Sequence, residues 1–368
     1  MDGRLAAAVG LLVVVAGVAP LAVAPAGAQE SVDCSFPVTV TDATGAEVTV
    51  REEPDRIVAL APSAAQQLWA VGAEDRVVGM PVNQYTAYLD GRDHAVHVVG
   101  DDGQPVTEEV VGLEPDLVLA PNVIQNETVE SLRDADLTVY RYGEARTIED
   151  VYAEIERTGR LGGEFEASAR ASAEMQGTVA AIRDAVADAD RPTVYYDLGD
   201  GWTAGNATFV GDLIATAGGD NVATRAGIER YDTISQEVLA NTTLSAVIVH
   251  EGSPVPETPG ITNATTVVRV DANFINQPGP RNVVPLRSMA EAFHPEAMAE
   301  AEVDDPETPT PAQCAEIDDT PITTTPSPGS TADRGTTPAR TTGGDGAGFT
   351  LASAAATLAV LGLLYRRR

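Results

Sequence analysis

The chain has 368 residues, enough for one large domain or two ordinary ones. Its formal charge at pH 7 is −32 and all 23 basic residues are arginine, so the surface repels nucleic acid and a nucleic-acid partner is excluded. Abundant Asp and Glu with no lysine point to a protein kept soluble in concentrated salt, where screening relieves self-repulsion; the charge reports a halophile's habitat, not a ligand.

The first element is an export signal. Arg4 precedes an apolar stretch from Leu5 to Val23, and Ala26 and Ala28 make an A-x-A-like cleavage site. Residues 1–28 therefore read as a signal peptide, with the mature chain beginning near Gln29. Cys34 follows Ser-Val-Asp and lacks the small residues of a lipid-anchor site, which argues against N-terminal lipidation. Cys34 and Cys314 are the two cysteines of the chain. Outside the cell such a pair reads as one disulfide between neighbouring termini, with two free thiols as the alternative. Sequons at Asn126, Asn206, Asn241 and Asn263 fit a glycosylated surface protein.

Strand and helix signals then alternate. Arg56 to Leu60 is a short apolar strand, followed by Ala-Pro-Ser, where Ser63 and Gln66 have the spacing of a capping box ahead of a helix with Leu68, Trp69 and Val71. Arg76 to Met80 is a second strand, Leu117 to Ala120 a third, Glu127 to Asp134 a helix and Leu137 to Tyr140 a further strand. This cadence implies a parallel sheet with crossover helices. A long helical region follows: Thr147 and Asp150 suit a cap, and Met175, Val179, Ile182 and Val186 recur at helical spacing until Pro192. A second α/β block begins with Thr193 to Asp197 and contains a helix over 209–217, a strand over 246–250 and a closing helix over 285–293.

The predicted organisation is thus a signal at 1–28, an N-terminal α/β lobe at 33–146, a bridging long helix at 147–190 and a C-terminal α/β lobe at 191–303. Beyond these come a Thr/Pro/Asp-rich stalk at 304–346 and a hydrophobic anchor at 347–368 ending in Arg366, Arg367 and Arg368. The stalk has too few large apolar residues to bury a core. The apolar run from Gly348 to Tyr365 is just long enough as a helix, about 27 Å, to span a hydrocarbon core.

Five segments in order, RIVALAPSAAQQLWAVGAEDRVVG, GLEPDLVLAPN, RPTVYYDLGDGWTAGNATFVGDLIATAGGDNVA, ISQEVLANTTLSAVIV and PGPRNVVPLRSMAEAFHP, resemble the ABC-transporter substrate-binding proteins for ferric siderophores and cobalamin. The resemblance covers about Val38 to Pro295. It implies two Rossmann-like α/β lobes bridged by a single long helix, with a ligand cleft between them. The end of the chain, GDGAGF before the apolar run, resembles the C-terminal sorting signal of archaeal surface proteins. There an archaeosortase removes the tail and a lipid replaces it. Ala-Gly-Phe stands here where Pro-Gly-Phe is usual, so a retained helix is the other outcome.

What the resemblance implies, residue by residue, is as follows. Glu108 and Glu237 match the glutamates that dock each lobe on permease arginines. Ser63 opens the first helix at the cleft, where free N–H groups can meet an anionic or carbonyl group. Asn83 and Tyr85 follow the second strand; Asp102 stands where the cobalamin binder has an aromatic residue; Trp202 and Tyr231 supply aromatic faces for a large flat ligand. Arg281, in Gly-Pro-Arg, braces the C-terminal lobe. The implied protein is an exported, membrane-tethered monomer at the cell surface. It has no cofactor of its own and delivers cobalamin or a ferric siderophore to an ABC permease with its ATPase subunits.

Two other readings compete. Members of a related branch bind zinc or manganese directly, and His97, His250, Asp102 and Glu251 could form such a site. A structural surface glycoprotein would explain the export signal, sequons and anchor, but not two α/β lobes. An enzyme is not expected, because G-x-S-x-G, H-E-x-x-H, the Walker loop and a post-strand G-x-G-x-x-G do not occur.

Overall fold

The computed structural model describes residues 34–301. The signal at 1–28, the stalk at 304–346, the anchor at 347–368 and Cys314 lie outside the described residues. Among the described residues, no helix is long and apolar enough to cross a membrane.

A hairpin that the sequence reading missed comes first: β1 (Val38–Thr41) pairs antiparallel with β2 (Glu47–Val50). Val38, Val40, Val48 and Val50 are buried while their neighbours face out, the period of two that a strand demands. Asp42 shapes the turn. Its Oδ1 accepts from the backbone N–H of Thr44 at 2.8 Å and of Ala46 at 3.1 Å, and its Oδ2 pairs with Arg133.

The first lobe comprises β3 (Ile57–Ala59), α1 (Pro62–Val71), β4 (Val77–Met80), β5 (Val96–His97), α2 (Thr107–Gly112), β6 (Leu117–Ala120), α3 (Asn126–Asp134) and β7 (Val139–Arg141). The strands are all parallel, in the order β5-β4-β3-β6-β7. Every residue of β3 and β6 is buried, as expected of strands covered on both faces by helices. The order reverses between β3 and β6, and at such a switch point the strand C-terminal ends open a crevice.

The span 147–190 is not one helix. It divides into α4 (Ile148–Gly162) and α5 (Phe165–Val186), with Gly163 between them at φ 88°, a left-handed conformation that glycine adopts without penalty. Thr147 caps α4 as expected, accepting from the N–H of Asp150. The two helices run antiparallel, since Arg183 near the end of α5 pairs at 2.9 Å with Glu149 at the start of α4. The bridge itself is α5, whose 22 residues extend about 33 Å. Met175, Val179, Ile182 and Val186 are its buried stripe, each contributing about 1.5–3 kcal/mol by burial. Its first turn is tied to the first lobe by Arg76, which pairs with both Glu53 and Glu164.

The second lobe follows: β8 (Thr193–Tyr196), β9 (Trp202–Ala204), α6 (Phe209–Thr216), β10 (Asp220–Asn221), α7 (Val222–Arg225), β11 (Tyr231–Thr233), α8 (Gln236–Ala240), β12 (Ala246–His250), β13 (Thr266–Val270), α9 (Ala272–Asn276), α10 (Val283–Phe293) and α11 (Pro295–Glu300). Its main sheet is parallel, in the order β10-β8-β12-β13, with a switch point between β8 and β12. Strands β9 and β11 form a separate antiparallel ribbon. The architecture is therefore the expected α/β fold with two lobes and a helical bridge, and one apolar core runs from β1 through α4 and α5 to α11.

Candidate functional site

A crevice at the C-terminal ends of both parallel sheets is what the two switch points create. In the first lobe, β3 leads directly into α1. The expected capping box is not formed: α1 starts at Pro62 with Ala61 as N-cap and no side-chain cap bond. Ser63 is thus a partly buried residue of the first turn, and Gln66 turns away into the interior. Proline accounts for this, because a residue with fixed φ and no N–H is suited to the first helical position and leaves Ser63 inside the helix.

At the end of β4, Asn83 is used by the backbone. Its Oδ1 accepts from the N–H of Tyr85 at 2.9 Å, and the N–H of Asn83 donates to Thr86. Tyr85 is partly buried and its carbonyl accepts from Gln277 of the second lobe at 3.0 Å. Asp102 is exposed at a turn beyond the edge strand β5, accepting from the N–H of Gln104 at 3.0 Å.

In the second lobe, Trp202 and Tyr231 open the two strands of the ribbon. Ala204 opposes Tyr231 and Thr233 opposes Trp202, so the two aromatic residues are diagonal neighbours on one face. They differ in setting. Tyr231 packs on the core and its hydroxyl meets the Thr208 side chain, and burial raises its phenol pKa. Trp202 is partly buried and stands outside the three core clusters.

Several residues at the lobe boundary were not anticipated. Gln66 and Gln67, both 1% exposed, reach from α1 to the loop before α10. Gln67 Nε2 donates to the Pro278 carbonyl at 3.2 Å and to Glu154 at 3.3 Å, and Gln66 Oε1 accepts from the N–H of Arg281 at 3.3 Å. Tyr88 accepts from Gln66 at 3.0 Å and donates to Gln277 at 2.8 Å. Burial pushes its phenol up to about 12, so it remains able to do both at neutral pH. The guanidinium of Arg281 lies 5.1 Å from the Tyr88 ring centre and 5.4 Å from that of Phe274, a cation–π clamp. Arg281 thus fastens the two lobes together rather than bracing the second alone. The pair of glutamines inside an apolar helix stretch was the available signal, since a buried amide must find partners.

His250 ends β12. Its Nε2 lies 2.7 Å from the Tyr196 hydroxyl and 3.2 Å from Asn276 Nδ2, and burial lowers its pKa, keeping the ring neutral. His97 Nδ1 accepts from the N–H of Val82 at 2.9 Å. Among the described residues, no three His, Cys, Asp or Glu side chains converge as metal ligands, so the set His97, His250, Asp102 and Glu251 is not assembled.

Glu108 lies in the first turn of α2 and Glu237 in the first turn of α8. Both are exposed. A crossover helix runs back along the sheet, so its first turn sits at the strand C-terminal edge, the cleft side. The two positions are equivalent: Glu108 stands nine residues before Leu117, which opens β6, and Glu237 nine before Ala246, which opens β12. The sequons Asn126, Asn206, Asn241 and Asn263 are all exposed. Cys34 is held in a disulfide.

The comparisons agree with this geometry. The pattern of the periplasmic binding protein family matches residues 57–270. The chain is 42% identical over 317 residues to a cobalamin-binding protein of Halobacterium salinarum, covering 79% of this chain and 85% of that one. It is 27% identical over 283 residues to an ABC transporter substrate-binding lipoprotein of Bacillus subtilis, covering 72% of this chain and 88% of that one. Among solved structures, the apo periplasmic heme-binding protein RhuT of Roseiflexus superposes with a TM-score of 0.58 at 25% identity, over 66% of this chain and 99% of that one. The periplasmic vitamin B12 binding protein BtuF of Vibrio cholerae has the same fold, with a TM-score of 0.57 at 19% identity over 67% and 99% of the two chains. Two α/β lobes, a helical bridge and a cleft at the strand ends therefore belong to a binder and not to an enzyme: the chain is a member of the periplasmic binding protein family.

Proposed function

We propose that this protein is the substrate-binding component of an ABC importer that captures cobalamin at the cell surface and hands it to the permease. The observation that carries this reading is the 42% identity to a cobalamin-binding protein over 79% of the chain. Ser63, Asn83, Tyr85, Asp102, Trp202 and Tyr231 are assigned to the cleft, where affinity comes from burying a large ligand between the two lobes. Glu108 and Glu237, equivalent and exposed on the two lobes, are the docking carboxylates for permease arginines. The protein carries no cofactor of its own. A Cys34–Cys314 disulfide closes the folded region, the sequons carry glycans, and the C-terminal apolar run or the lipid that replaces it tethers a monomer beside its transporter. A ferric siderophore is the second ligand reading, supported by the five segments between Arg56 and Pro295 that resemble binders of ferric siderophores as well as of cobalamin.

Calorimetric titration of the full chain with cobalamin, ferric chelates, zinc and manganese tests the ligand. Tight binding of zinc or manganese with no response to chelates would overturn the reading, and silence for every ligand would favour a structural surface protein. Docking has a separate test: Glu108→Arg with Glu237→Arg abolishes uptake and leaves ligand affinity unchanged. A loss of affinity in that variant places the glutamates in the cleft instead.

A further inference from the structure

The lobes meet at a second place, and there the contact is ionic. Beyond β7 the chain passes through Glu144. Its Oε2 accepts from Nε and Nη2 of Arg146 at 3.3 Å, and its Oε1 from Nη2 of Arg230 in the second lobe at 2.5 Å. Two guanidinium groups thus share one carboxylate, while the neighbouring Asp150 carboxylate is taken up by the backbone N–H groups of Arg146 and Thr147 at 2.8 and 2.9 Å.

The two arginines differ from others at the strand ends. Arg141 donates to the carbonyls of Pro121 and Asn122, and Arg92 to the carbonyl of Asn83 and to Thr86; both are occupied by the backbone they hold. Arg230 uses Nη2 alone, on a side chain that is 51% exposed. A guanidinium has five donors in a planar fork, so most of its donors are left open. Its backbone is pinned meanwhile, the Arg230 carbonyl accepting from Gly205 at 2.9 Å. The side chain can therefore change partner without disturbing the ribbon. It lies next in sequence to Tyr231, on the ribbon that carries Trp202.

We propose that Arg146 and Arg230 form an anion subsite of the cleft that binds the phosphodiester of the ligand's nucleotide loop, with Glu144 holding that place when the cleft is empty. This rests on the cobalamin reading above. The corrin side chains of that ligand are neutral amides, so the phosphodiester is its one anionic group, and a pair of guanidinium forks suits its oxygens. A strongly acidic protein must supply local positive charge to accept such a group, and Glu144 keeps the two arginines from repelling each other beforehand.

The test uses two corrinoids, cobalamin and cobinamide, which has the same ring but no phosphate-bearing loop. Affinities are measured by calorimetry with the full chain. Arg230→Gln and Arg146→Gln are each expected to weaken cobalamin binding by about tenfold and to leave cobinamide within about twofold. Glu144→Gln is expected to act in the opposite sense, tightening cobalamin binding several-fold by removing the competing carboxylate. The preference for cobalamin should also shrink as salt screens the charges. Equal losses for both corrinoids, no loss, or weaker cobalamin binding by Glu144→Gln would each overturn the subsite. Equal wild-type affinities for the two corrinoids overturn the subsite alone, whereas a wild type that binds neither overturns the ligand reading and the subsite with it.

Discussion

Replacing Gly159 by alanine sets helix propensity against packing, and the structure decides the sign. Gly159 lies in α4 where α5 crosses most tightly. A Cβ there would be 2.1 Å from Ser168 Cβ, 2.2 Å from Ser168 Oγ and 2.7 Å from the Glu164 carbonyl oxygen. Carbon atoms in contact sit about 3.5–4.0 Å apart, so the helices must part by more than about 1 Å. Alanine gains about 1 kcal/mol over glycine in a helix. Overpacking costs about 1–3 kcal/mol, and the upper end applies because one obstacle is backbone. The expected net loss is about 1–2 kcal/mol, a fall in Tm of about 2–4 °C for a folded unit of this size. Gly112, near the end of α2, is the control: a Cβ there meets nothing within 4 Å, so the same change should raise stability by a few tenths of a kcal/mol. Thermal unfolding of the full chain, followed by circular dichroism in concentrated salt, compares the two. Adding Ser168→Gly should recover only part of the loss, since the Glu164 carbonyl remains. If Gly159→Ala proves as stable as Gly112→Ala, the close approach of α4 and α5 is wrong.

Two further outcomes concern buried carboxyl groups. Burial pushes Glu154 up from 4.5 to about 8 despite its bond from Gln67. Its folded state therefore holds a proton that the unfolded chain has released, and stability falls as pH rises between about 4.5 and 8. Glu154→Gln should remove that slope, and an unchanged urea-unfolding profile over this range would show that the carboxyl is charged. Asp42 has the opposite sign: burial raises it, but the bonds from Thr44 and Arg133 outweigh this and hold it below 3.8. Its contribution is complete above 3.8 and is lost as pH falls through the lower folded value. Asp42→Asn should cost about 2–3 kcal/mol at neutral pH, a difference from wild type that closes in strong acid. A gap that persists there would assign the loss to packing.

Much of the fold was legible locally. The buried strands β3, β6, β8 and β12 are short apolar runs between turn signals, and covering both faces of a sheet forces that composition. The stripe of α5 and the Thr147 cap were readable for the same reason, that near neighbours along the chain determine them. Short or non-local elements were not: the ribbon of β9 and β11 joins residues almost thirty positions apart. Hydrophobic periodicity also ran on across Gly163, because α4 and α5 each bury an apolar face and only the reversal between them breaks the helix.

The site divides along the same line. Glu108 and Glu237 could be singled out by their segments, yet their equivalence appears only when the two sheets are laid out strand by strand. Sequence pattern by itself determined two α/β lobes, their order and the apolar faces they bury, because those follow from spacing within a few residues. Tertiary structure alone decided that Gln66, Gln67 and Tyr88 meet the loop before α10, and that Glu144 faces an arginine 86 positions away. Those pairings depend on how the lobes dock, and no local pattern along the chain encodes which polar side chain will stand across the gap.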